Sequence, residues 1–155
     1  MTSAVIVSIR VDASPQEAFD TFTKEIGAWW RPNPLFQLTP GGDGRLRFEP
    51  GERGRLLAVL PDDEEFEIGR VIVWAPGEKL VLSWRQATFS PDQRTELEVR
   101  FEPIGGGTRV TVEHRGWDGI PREHAARHGF ELMLFQQRLA GHWRTLLAAL
   151  AARIV

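Results

Sequence analysis

The chain has 155 residues, a net charge of −2 and no cysteine, with 42% hydrophobic and 26% charged residues. This composition is typical of globular proteins, and we expect a single domain over residues 1–155. A sequence without cysteine has no thiol nucleophile, disulfide or thiolate metal site. The near-neutral charge, with no cluster of Lys and Arg, argues against nucleic-acid binding.

Neither end of the sequence has the pattern of a membrane or export segment. The N-terminal residues lack the basic and apolar regions of a secretory signal. The longest apolar run, 146–152, is far shorter than the roughly 20 residues that cross a bilayer. We therefore expect a cytoplasmic protein without membrane insertion.

The N-terminal part predicts a strand followed by a short helix and a further helical turn. Apolar and polar residues alternate over 4–11, which is the pattern of a half-buried strand. Ser14 and Glu17 form a capping box at the start of a predicted helix over 15–25. A second turn over 28–30 then ends before the prolines that follow.

Residues 44 to 115 predict six further strands, joined by tight turns such as Pro76-Gly77. The clean alternation indicates an antiparallel meander with one buried face. For the strand over 66–74 the sequence does not decide which face is buried. Arg70 favours an inward Val71, whereas Trp74 lies on the opposite face from Val71. The predicted strands are 44–49, 53–60, 66–74, 79–86, 95–102 and 108–115.

The last part of the chain predicts a long helix with a break before it. A helix over 121–153 would be about 50 Å long, whereas a chain of this size has a diameter of about 39 Å. We therefore expect an interruption near Gly129 and a helix over 130–153. The apolar stripe of that helix comprises Leu139, Trp143, Leu146, Leu147, Leu150 and Ile154.

These elements predict an α+β protein in which a curved seven-stranded antiparallel sheet, in the order β-α-α-β6-α, wraps around a long C-terminal helix. One helix covers a stripe about 10 Å wide, which is less than the width of seven strands. The inward side chains that the helix does not reach must therefore meet each other or line a cavity.

A set of residues spread over nearly the whole chain carries a resemblance to a known family. The matching positions are Pro15, Ala18, Phe19, Phe22, 69–76, Leu80, Trp84, Thr108, Val110, Thr111, His114, Gly116, Trp117, Trp143 and Leu147. In these positions the chain resembles the START / Bet v 1-like (SRPBCC) superfamily, and within it the Activator of Hsp90 ATPase homologue 1-like (AHSA1-like) family. The resemblance implies a helix-grip fold without a cofactor.

The resemblance also implies three functions. The first is an internal cavity for a small hydrophobic or amphipathic ligand between the sheet and the C-terminal helix. The second is regulation of an Hsp90-type chaperone ATPase through a docking surface. The third is a cyclase- or hydratase-like enzyme that uses His114. We favour the ligand-binding module and assign no catalytic residue.

Eleven residues are candidates for the cavity lining, and His114 is the one ionisable side chain placed by alternation on an inner strand face. His114 either contacts a ligand or is a core histidine satisfied by a backbone group or by the turn at Trp117. Trp30 and Phe36 lie in or beside a proline-rich loop, where they gate a pocket or plug the core. The candidates are Trp30, Phe36, Phe48, Trp84, Val99, Phe101, Val112, His114, Trp117, Phe135 and Trp143.

Three further histidines have other interpretations. His124 and His128 are four residues apart, a spacing that zinc sites use on a helix face. The sequence offers no evident third ligand, so we predict a solvated helix face and no metal. His142, beside Trp143 in the last helix, is expected to be partly exposed.

Overall fold

A computed structural model of the chain describes residues 4–33, 35–39, 44–85, 89–90, 92–121 and 123–154. Its strands are β1 (Ala4–Val11), β2 (Arg45–Phe48), β3 (Arg55–Val59), β4 (Glu65–Ala75), β5 (Lys79–Trp84), β6 (Thr95–Ile104) and β7 (Gly107–Arg115). Its α-helices are α1 (Pro15–Lys24), α2 (Ile26–Trp29) and α3 (Leu132–Ile154). The strands form one antiparallel sheet in the order β1-β7-β6-β5-β4-β3-β2, which curls into a half-barrel with the long helix α3. The predicted α+β architecture is confirmed.

Local sequence signals explain how the first helix begins. Ser14 caps α1, because its Oγ accepts a hydrogen bond from the backbone N–H of Glu17 at 3.2 Å. The same hydroxyl donates to Oε1 of Glu17 at 3.1 Å, so the two side chains of the predicted capping box do interact. The predicted second turn is present as α2, which leads directly into Trp30.

All seven predicted strands are present, with ends within two residues of the prediction, except that residue 86 lies outside the described residues. The open question of β4 is answered by two irregularities in its pairing, at Ile68 opposite β3 and at Ile72 opposite β5. Each irregularity changes the parity that faces the core. Ile68 and Val71 are therefore both buried, although their parities differ.

Gly69 lies beside the first of these irregularities and is needed there for steric reasons. A Cβ on Gly69 would lie 1.8 Å from the backbone oxygen of Ser83 on β5. No side chain can be accommodated without moving one of the strands, so glycine permits the close approach of β4 and β5.

The C-terminal helical region is interrupted before α3, near Gly129, as its length predicts. A 3₁₀ turn at Ala125–Arg127 is followed by His128 and Gly129, which have φ values of +50° and +73°. Positive φ values stop a right-handed helix, and α3 starts three residues later. The predicted stripe of α3 is buried except for Ile154, which is half-buried. Of the helices that the structure describes, none has the length and hydrophobicity needed to span a membrane.

Candidate functional site

An aromatic pocket lies where α3, the ends of β5 and β7 and the segment after α2 meet. Of the nine side chains that line it among the described residues, seven carry aromatic rings. Its volume is about 10 Å³, counted as the space open to the centre of a water-sized sphere, so it has room for about one water molecule. Side chains thus occupy most of this pocket, which as it stands is too small for the ligand expected from the sequence. The lining residues are Trp30, Phe36, Leu38, Trp84, His114, Trp117, Leu139, His142 and Trp143.

Six of the eleven candidate residues line this pocket, namely Trp30, Phe36, Trp84, His114, Trp117 and Trp143. Phe135 lies directly behind the lining, with its ring centroid 5.7 Å from that of Phe36 and 4.7 Å from that of Trp117. The other four candidates are core residues that do not line the pocket. Phe101, for example, packs against Phe19 at 5.3 Å. These four are Phe48, Val99, Phe101 and Val112.

Three lining residues were absent from the candidates. Leu139 belongs to the apolar stripe of α3, and His142 lies three residues further along the same helix, so helical spacing contains a signal for both. Leu38 lies in a segment without helix or strand periodicity. No pattern in the sequence predicts that its side chain reaches the pocket.

His114 on β7 is a fully engaged core histidine. The indole N–H of Trp143 donates to its Nδ1 at 3.3 Å, so the ring proton sits on Nε2. Nε2 then donates to Oγ1 of Thr95 at 2.8 Å, and Thr95 in turn donates to the backbone oxygen of Trp84. Burial lowers the pKa of His114 to about 3, which keeps it neutral at physiological pH. The geometry supports the core interpretation of His114, although its partners differ from those expected.

His142 on α3 is buried, and the expectation of partial exposure is wrong. Its imidazole stacks on Phe36 with 5.2 Å between ring centroids and 14° between planes, and Trp30 packs edge-on against it. The segment after α2 therefore covers a position that the helix alone would leave at the surface. Burial lowers the pKa of His142 to about 4, so it too is neutral at physiological pH.

Trp117 is a fully buried side chain that lines the pocket. It lies in a 3₁₀ turn after Gly116, between His114 at 5.2 Å and Phe135 at 4.7 Å. Within the described residues, its indole Nε1 is buried and makes no hydrogen bond. A buried donor left in this state costs about 1–3 kcal/mol.

His124 and His128 do not share a helix face, so the predicted solvated helix face at these residues is wrong. The backbone at His128 has a positive φ, which ends the short turn that begins after His124. His124 accepts a hydrogen bond from the backbone N–H of Ala126 through Nδ1, and Nε2 of His128 contacts the backbone oxygen of Leu35. The part of the chain that the structure describes contains no cluster of three potential metal ligands.

The family model for Activator of Hsp90 ATPase homolog 1-like protein matches residues 12–153. The chain belongs to this AHSA1-like family. A relative with a known structure is Txn09, an anthrahydroquino-gamma-pyrone synthase, which is 30% identical over 98% of this chain and 96% of its own, with a TM-score of 0.58. No curated protein matches the chain.

Two other solved structures share the fold of this AHSA1-like chain. MLL2253 from Mesorhizobium loti is 18% identical, with 97% of this chain and 95% of that chain covered and a TM-score of 0.63. CalU16 from Micromonospora echinospora is 20% identical, with 99% and 76% covered and a TM-score of 0.59. At these identities the likeness shows the fold alone, which confirms the expected helix-grip architecture, while the family match over residues 12–153 confirms the expected superfamily.

Proposed function

We propose that this AHSA1-like protein binds a small, largely apolar aromatic molecule in the aromatic pocket. One observation carries the proposal: rings from the segment after α2, from the sheet and from α3 converge around a small space lined by Trp117, whose buried indole N–H has no partner among the described residues. Aromatic rings prefer edge-to-face and offset contacts with other rings. Apolar area removed from water adds about 25 cal/mol per Å².

Binding requires the pocket to widen, and the segment after α2 is the element that opens it. This segment contributes Trp30, Phe36 and Leu38 to the lining and has no regular helix or strand in its described residues. The ring of Phe36 fills the space between His142 and Phe135. Outward movement of Phe36, together with Trp30 and Leu38 on the same segment, would free a space for a molecule of two fused rings.

A titration with 2-acetylnaphthalene, followed by tryptophan fluorescence and by native mass spectrometry, tests the proposal. We expect Phe36→Ala to strengthen binding because it removes the ring that fills the pocket. We expect Leu38→Trp to abolish binding because the added ring takes the remaining space. Ile72→Trp, on an exposed position of β4, is the matched control and leaves binding unchanged. Equal binding by the Leu38→Trp variant and the parent protein would place the ligand elsewhere.

A second candidate function is catalysis on an aromatic substrate, and the 30% identity to the synthase Txn09 favours it. His114 is the residue that the sequence suggests for acid–base chemistry. Both of its ring nitrogens are hydrogen-bonded, so such a role needs Thr95 or Trp143 to release it. Turnover assays that compare the parent protein with His114→Gln test this candidate, and unchanged rates would remove His114 from any mechanism.

Regulation of an Hsp90-type chaperone is the function expressed in the family's name. It needs a protein-docking surface rather than the pocket. An ATPase assay with a purified Hsp90-type chaperone, with and without the chain, tests it. The pocket-filling variant Leu38→Trp separates the two functions, because chaperone stimulation would survive it.

A further inference from the structure

We propose that the pocket selects an uncharged aromatic molecule with two polar groups. One is a carbonyl or hydroxyl oxygen that accepts a hydrogen bond from the indole N–H of Trp117, and the other forms a hydrogen bond with His142. The inference rests on the proposed function and names the chemistry of the ligand. It comes from the buried indole N–H of Trp117, which has no acceptor among the described residues, and from His142, whose imidazole lines the same pocket and makes ring contacts with Phe36 and Trp30.

The indole of Trp117 differs in this respect from those of Trp29 and Trp143. Nε1 of Trp29 donates to the backbone oxygens of Thr21 and Phe22, and Nε1 of Trp143 donates to His114. Trp117 is fully buried and lines the pocket, yet its Nε1 has no acceptor among the described residues. Buried indole N–H groups normally have a partner. An acceptor brought by a ligand would supply it.

His142 provides the second polar group. Its ring contacts are with Phe36 and Trp30. A neutral imidazole has one N–H donor and one acceptor nitrogen. His142 therefore accepts from a ligand hydroxyl or donates to a second ligand oxygen.

The side chains that line the pocket disfavour charged ligands. Among the described residues the lining contains no Asp, Glu, Lys or Arg, and its two histidines, His114 and His142, are neutral. The guanidinium of Arg127 lies over the ring of Phe135, behind the lining, and donates to the backbone oxygens of Ile120 and Phe130. An anion or cation in the pocket would lose its hydration without gaining a partner of opposite charge.

The competing explanation is a single trapped water, for which the cavity has room. A water on Trp117 would satisfy the N–H without any ligand. The two explanations differ in what they predict for probes, because only a ligand site discriminates among molecules of one shape.

Three naphthalenes of similar shape test the inference. These are 6-acetyl-2-naphthol, which carries both oxygens and no charge, 2-ethylnaphthalene, which carries neither oxygen, and 6-hydroxy-2-naphthoate, in which a carboxylate replaces the acetyl group. We expect the naphthol to bind about tenfold more tightly than 2-ethylnaphthalene, after each affinity is corrected for the probe's transfer from water to octanol. We expect the naphthoate to bind at least a hundredfold more weakly than the naphthol. This comparison uses the unchanged protein, so it does not depend on the folding of a variant.

Two variants test whether Trp117 and His142 cause the preference for the naphthol over 2-ethylnaphthalene. Trp117→Phe keeps a ring but removes the N–H, and His142→Phe keeps a ring but removes both nitrogens. Each should reduce the preference for the naphthol over 2-ethylnaphthalene several-fold. Trp74→Phe is the matched control, because Trp74 is a half-buried indole that packs against Phe19 and not in the pocket.

The outcomes separate this inference from the proposed function. Failure of all three probes to bind would refute the proposed function and this inference with it. Equal corrected affinities, tighter binding of the naphthoate, or a preference unchanged in Trp117→Phe would overturn this inference alone. In those cases the N–H of Trp117 is satisfied by a trapped water only.

Discussion

Two buried histidines make the free energy of unfolding depend on pH between 7 and 5. Burial lowers the pKa of His114 to about 3 and that of His142 to about 4, from the ordinary value of 6.5. At pH 5 both are neutral in the folded protein and protonated in the unfolded chain. The unfolded chain then binds more protons, so stability falls as the pH falls from 7 towards the folded pKa values.

The expected loss follows from these pKa values. A histidine with a pKa of 6.5 in the unfolded chain that stays neutral in the folded state lowers the free energy of unfolding by about 2 kcal/mol between pH 7 and pH 5. His114 and His142 together therefore account for about 4 kcal/mol, which is a large part of the roughly 5–15 kcal/mol typical of a domain. Carboxylates with lowered pKa values, such as Glu98, lose their contribution only as the pH falls below their ordinary value of 4.5. The interval from pH 7 to pH 5 therefore isolates the histidines.

Urea unfolding at the two pH values measures this loss in the parent protein and in the variants His114→Gln and His142→Gln. Each variant should lose about 2 kcal/mol less than the parent between pH 7 and pH 5. Because the comparison is made within each variant, any change in its absolute stability cancels. Thr95→Val is the control, since it removes the partner of His114 but keeps the imidazole. A pH-dependent loss in His114→Gln as large as that of the parent would refute the argument.

Three backbone and packing predictions concern stability and are measured by thermal or urea unfolding. Gly141→Ala should stabilise by about 0.5–1 kcal/mol, because a Cβ in this interior position of α3 meets nothing within 4 Å; a lower melting temperature would contradict this. Gly69→Ala should destabilise strongly, since its Cβ would collide with the backbone oxygen of Ser83, and a folded variant of unchanged stability would show that the strands separate at little cost. Thr108→Val should cost about 1–3 kcal/mol, because the buried hydroxyl donates to the backbone oxygen of Ala13 at 2.7 Å; a loss below about 0.5 kcal/mol would indicate that a water replaces the hydroxyl.

Local patterns account for the parts of the fold that were predicted correctly. The cap at Ser14, the alternation in β6 and β7 and the stripe of α3 each depend on residues that are close in sequence. Their physical causes, backbone capping and the burial of one face, act within a single element. The same reasoning placed His114 on the inner face of β7, where it lies.

Contacts between distant elements decided the rest. The irregularities at Ile68 and Ile72 arise from pairing with two different neighbours, which alternation within β4 cannot reveal. The burial of His142 depends on Phe36, more than a hundred residues away. Whether a pocket is open or filled is set by the summed volumes of side chains from several elements, and seven rings of the described residues reduce this one to the space of about one water. The amino-acid sequence by itself thus determined the elements and their buried faces, whereas the size and polarity of the pocket exist only once α3, the sheet and the segment after α2 are packed together.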